Sequence, residues 1–254
     1  MTSGRKNLRH SQHEVAIRPL IDVYEWGTTL VIASRPDTDI MGCGGAIALL
    51  RQMGYRVHVL YICDTFHHQS SCNNLPAKCL KDLRKYEAEN ALSKLGVSEE
   101  SITFLDIKDK LVPSKGQDGF DELVGICKYK LNNLFPDTIL IPWRFAQIND
   151  HMAVRDIVCK ARRQEACSAN VIEYAPQPWI DDEQLYDVAR SELPLLQLDN
   201  KAVLESKLEA LSQYYEEEIN LFQDELPTLT ALNGEKLSYM THPWEIFLKA
   251  EDVA

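Results

Sequence analysis

SRPDTDIMGCGGAIALL, residues 34–50, reads as the end of a strand, a polar turn, a glycine cluster and the start of a helix. The turn gathers Arg35, Asp37 and Asp39 where α/β proteins keep their chemistry, just beyond a strand's carboxyl end. Upstream, TTLVIAS (28–34) is a β-rich apolar run; downstream, GGAIALLRQMG (44–54) predicts a helix closing on Gly54. GCGG lacks the Lys-Ser/Thr ending of a phosphate loop, so the glycines point to close packing or a tight turn.

Working outward, the alternation repeats. YRVHVLYIC (55–63), SITFLDI (101–107), DTILIPW (137–143) and NVIEYAP (170–176) predict four more strands. Between them lie predicted helices over 79–96, 119–134 and 150–164. Five strands with helical crossovers imply an α/β, Rossmann-like, mostly parallel sheet with helices on both faces. LVIA and ILIP are continuous apolar runs, as strands covered on both faces require. After residue 176 the pattern changes: LDNKAVLESKLEALSQYYEEEINLF (198–222) predicts a long helix. The expected organisation is a tail and lead-in over 1–27, an α/β core over 28–176 and a helical or mixed C-terminal extension over 177–254.

The net charge of −11 argues against binding nucleic acid or an anionic membrane surface, both of which need a basic face. No apolar run approaches the ~20 residues that span a bilayer, and the first twenty residues lack a signal peptide's apolar core. The seven cysteines are odd in number, scattered and without a CxxC pair. Several stand in apolar contexts, which fits a reducing, cytoplasmic setting.

Several motifs agree in order and spacing with one family. RPDTDIMGCGGAIALL, the helix CLKDLRKYEAENALSKLGV with Arg84 and Glu87, FLDIKD, INDHMAV and EIFLKA together resemble the PIG-L/LmbE-type N-deacetylases over roughly residues 28–250. That resemblance implies a zinc hydrolase fold that removes acyl groups from N-acetylglucosamine conjugates and related amino sugars. The family's first loop reads His-Pro-Asp-Asp-Glu and its distal motif His-x-Asp-His. Carried over by position, the family's zinc ligands fall on Arg35, Thr38 and His151, its general base on Asp37, and its oxyanion helper on Ile148. Asp150 matches the distal Asp. His151 is thus the single surviving metal ligand.

Chemistry weighs against zinc in such a set. A catalytic zinc takes three protein ligands from His, Asp, Glu and Cys, plus water. Arginine offers donors only and stays protonated. At 4 Å and an effective dielectric near 20, each unit of like charge costs about 4 kcal/mol, doubled for a divalent ion. Ile148 cannot donate to an oxyanion, a loss worth about 10² to 10³ in rate. Asp37 is a candidate base or a partner for Arg35; Arg35 is a candidate ligand-binding guanidinium or an ion-pair partner. Asp39, His67 and His68 are candidates for a relocated metal site with His151. Arg84, Trp143 and Arg144 are candidate pocket residues, an aromatic and guanidinia suiting a sugar or anion.

Three readings follow: a non-hydrolytic member of the deacetylase fold that binds a small amino-sugar-like or anionic ligand or a protein partner; an active amide hydrolase with relocated metal; and a metal-independent enzyme in the same pocket. Family likeness also leaves self-association open.

Overall fold

The computed structural model describes residues 22–64, 77–108, 110–145, 149–175, 195–221 and 242–250. Its elements run β1 Thr29–Ala33, α1 Thr38–Gln52, β2 Val57–Cys63, α2 Ala77–Lys94, β3 Ile102–Ile107, α3 Phe120–Leu134, β4 Thr138–Pro142 and α4 Asn149–Gln164. They continue with β5 Asn170–Tyr174, β6 Leu195–Asp199, α5 Leu204–Leu221 and β7 Trp244–Lys249. The strands form one seven-stranded sheet ordered β3-β2-β1-β4-β5-β7-β6. The first five pair in parallel; β7 runs antiparallel to both β5 and β6. The α/β reading holds. No described helix is long and apolar enough to cross a membrane.

Period-two alternation decides which helices each strand residue meets. In β1, Val31 and Ala33 pack with residues of α1, α2 and α5, while Leu30 and Ile32 pack with α3 and α4. In β4, Leu140 joins the first cluster and Ile139 and Ile141 the second. All of β1 and β4 is buried, which explains their unbroken apolar runs. Parallel pairing then puts the ends of β1, β2 and β4 on one rim, with Ser34, Asp64 and Trp143 next in the chain.

The C-terminal region departs from the expected long helix. Leu195–Asp199 is a strand, Lys201–Val203 a 3-10 turn, and the α-helix starts only at Leu204. Leu195 and Leu198 are the buried positions of β6, a spacing equally compatible with a helix face. The Asp199 carboxylate accepts from the backbone N–H of Lys201, a local turn bond that separates strand from helix. The closing EIFLKA segment is β7, which carries the buried Glu245 on an otherwise apolar strand. The extension therefore widens the core sheet by two strands.

Leu140 has no exposed surface, whereas the Tyr129 side chain on α3 is 67% exposed. Leu140→Ala is expected to lower unfolding free energy by about 2–5 kcal/mol, and Tyr129→Ala by no more than about 0.5 kcal/mol. Urea unfolding followed by circular dichroism measures both.

Candidate functional site

The pocket turn follows β1. Pro36 and Asp37 lead into α1, and Asp37 takes φ 94°, ψ −40°, a strained backbone for a non-glycine residue. It occupies the N-cap position without a side-chain capping bond. Its carboxylate instead lies 3.5 Å from Nε of Arg35. The Thr38 hydroxyl donates to the carbonyl of Arg35 at 2.8 Å, closing the turn on itself.

His151 comes in from the first turn of α4 and is 1% exposed. Among the described residues neither ring nitrogen has a hydrogen-bond partner. Burial, aided by the positive charge of Arg35, lowers its pKa to about 4, so the imidazole is neutral at pH 7. Arg35, paired with Asp37 in the turn, is thus near enough for its charge to act on His151 at the start of α4. Asp150 lies inside α4 rather than capping it. Its carboxylate accepts the backbone N–H of Lys110 at 2.6 Å and the Cys63 thiol at 3.8 Å. These contacts tie the loop after β3 and the end of β2 to the first turn of α4.

Asp39 points into the protein. It is fully buried and accepts the Tyr61 hydroxyl at 2.6 Å. Burial pushes its pKa up to about 7; the charge of Asp37 adds to this and the Tyr61 bond opposes it. The phenols of Tyr61, Tyr174 and Tyr214 are pushed up by burial first; the Asp39 charge comes next for Tyr61 and Tyr214, and Cys43 followed by Asp39 for Tyr174. Tyr61 and Tyr214 lie in strand and helix patterns that read as ordinary core, which is why sequence reasoning passed over them.

The other candidates are committed elsewhere. Arg84 donates to Glu87, three residues on, at 2.7 Å. Arg144 is bound through Nε, Nη2 and its backbone N–H to the fully buried Glu173, which also accepts from Arg155 at 3.2 Å. Trp143 is 2% exposed and packs with Ala175, Leu195, Ile246 and Leu248. His67, His68 and Ile148 lie outside the described residues. Lys81 and Lys85, absent from the expected set, converge on Asp106 at 3.0 and 2.8 Å.

The residues at the family's zinc positions do not suit that ion. Arg35 has no lone pair to give, the Thr38 hydroxyl is donated to a carbonyl, and His151 supplies a single nitrogen ligand. Among the described residues no group of three His, Cys, Asp or Glu side chains is placed to hold a metal.

The family model described as PIG-L: GlcNAc-PI de-N-acetylase matches residues 30–162, more than half of the chain. The chain belongs to the PIG-L family. No curated relative matches it. Similar solved structures include the N,N'-diacetylchitobiose deacetylase of Pyrococcus horikoshii, at 18% identity and TM-score 0.60 over 89% of this chain and 84% of that one. The A40926 pseudoaglycone deacetylase Dbv21 aligns at 16% identity and TM-score 0.63, over 89% and 98%. The 4-carboxy-2-hydroxymuconate hydratase GalB of Pseudomonas putida KT2440 aligns at 17% and 0.59, over 90% and 100%. At such identities the likeness is one of fold.

Asp39 gives a signed pH test. Its folded pKa of about 7 lies above the ordinary aspartate value of 3.8, so between these values the native state binds the extra proton. The Asp39 contribution to stability therefore falls as pH rises through that window. Asp39→Asn removes the dependence. The variant is expected to match wild type near pH 4 and to exceed it by roughly 3–4 kcal/mol above pH 7; urea titrations at pH 4.5 and 7.5 check the divergence.

Proposed function

We propose that this PIG-L protein no longer carries out zinc-dependent N-deacetylation and uses the inherited pocket to bind a small polar ligand. The observation that carries the reading is the Arg35–Asp37 pair beside His151. A guanidinium at 3.5 Å from the turn carboxylate occupies that carboxylate electrostatically. The same positive charge helps hold the imidazole neutral. A divalent ion brought there would face Arg35's charge without the ligand count to offset it.

What the pocket offers a ligand is hydrogen bonding. A neutral imidazole has one N–H donor and one lone pair, and both His151 nitrogens are unpartnered among the described residues. Arg35 adds donors beside them. A molecule presenting adjacent donor and acceptor groups, such as a hydroxyl-rich amino sugar or a carboxyl-bearing metabolite, satisfies that set. The deacetylase neighbours support the first class and the hydratase, named for a carboxylated substrate, the second. Fold likeness alone does not choose between them.

Protein purified without chelators and dialysed against micromolar zinc is expected to hold well under one zinc per chain and to release no acetate from N-acetylglucosamine conjugates. One zinc per chain, lost in His151→Ala together with measurable acetate release, would overturn the proposal and favour the hydrolase reading.

A further inference from the structure

The helix that follows the pocket turn is broken, and the break is occupied. Cys43 takes φ −145°, ψ 21° in the middle of α1, separating its first turn from the segment after it. In an unbroken helix the N–H of Gly45 would donate to the carbonyl of Met41, four residues back. Here the Gly45 N–H donates to Glu245 Oε1 at 2.7 Å, and the Ala46 N–H to Glu245 Oε2 at 2.9 Å. The Met41 carbonyl accepts from Lys207 Nζ at 3.2 Å. Lys207 and Glu245 then join each other at 2.6 Å, each 1% exposed at the side chain. A cation from α5 and an anion from β7 thus engage the Met41 carbonyl on one side of the kink at Cys43 and the Gly45 and Ala46 N–H groups on the other. Inserting side chains into the ladder is a recognised cause of a helix kink.

The connection reaches the pocket. The Met41 N–H donates to the carbonyl of Asp37 at 3.0 Å, so Lys207 is two hydrogen bonds from the positive-φ residue of the turn. The glycines around the kink permit close packing of their own: a Cβ on Gly45 would come within 2.5 Å of the buried Asn200 side chain, and one on Gly42 would strike the Tyr174 ring. We propose that Lys207 and Glu245 are positioning residues for the pocket turn, holding α1 open at Cys43 and thereby setting the backbone of Asp37. Burial of an ion pair gives little net stability compared with well-packed apolar residues; its distinctive product here is the kink. Without the pair, the helix recovers its own Gly45-to-Met41 bond by straightening, and the first turn rotates with Asp37 on it. The inference is independent of which ligand the pocket takes.

The test compares Glu245→Gln, Glu245→Asp and the double replacement Lys207→Met with Glu245→Leu. Glu245→Gln leaves Lys207 buried without its counter-ion and is expected to lower the melting temperature by roughly 10 °C. The double replacement is expected to regain most of that loss. Its amide resonances at Asp37, Thr38 and Asp39 are nonetheless expected to move in two-dimensional NMR spectra, while those of α3 stay in place. A folded double variant with unmoved Asp37–Asp39 resonances would overturn the proposal. Loss of folding in all three variants would also count against it, because the pair would then be a requirement for folding rather than a device that sets the turn.

Discussion

The buried ion pair that Lys207 and Glu245 form against the kink of α1 organises much of this molecule. Glu245 sits on β7, Lys207 on α5, and the two meet inside a helix that begins some 200 residues earlier in the chain. For that to happen β7 must lie antiparallel against β5, and α5 must cover the same face of the sheet as α1 and α2. The C-terminal extension is therefore built into the part of the core that carries the pocket turn. The cost of burying two charges is met by four hydrogen bonds among the pair, two amides and one carbonyl, which leaves neither charge unaccompanied.

The pocket works by setting charges against burial. The Arg35 guanidinium stands beside Asp37, and the imidazole of His151 is neutral because of its burial and the neighbouring guanidinium. Two residues beyond Asp37, in the first turn of α1, Asp39 carries the opposite perturbation, with burial raising its pKa to about 7. Such a site is polar but has few lone pairs free to bind a metal. Belonging to the PIG-L family fixes the frame on which these groups are carried; the groups themselves decide the chemistry.

How much of this the sequence disclosed follows from the range of each signal. The five parallel strands were legible because their apolar runs are short, continuous and closed by glycines or polar turns. The turn at 34–39 was legible because strand, polar residues and glycines are adjacent in the chain. The strand Leu195–Asp199 went unread, its last two residues being taken into the helix that follows, because leucines three apart satisfy a helix as well as a strand, and only the pairing with β7 settles it. Glu245 and Lys207 look like surface charges until their partners, more than 160 positions away, are known. Arg144 is the converse case: it stands at a strand end where ligands bind, yet the buried Glu173 on the neighbouring strand engages its guanidinium. Local patterns thus gave the frame, and long-range pairing decided which charged residues were left facing the pocket.

The central claim is that Arg35 and Thr38 keep this site from holding a metal. Cobalt(II) titration followed by visible absorption addresses it directly, on the wild type and on a variant combining Arg35→His with Thr38→Asp. The account predicts no tetrahedral cobalt band in the wild type and a band saturating at one equivalent in the variant. A one-equivalent band in the wild type at micromolar cobalt, or a well-folded variant that binds none, would contradict it.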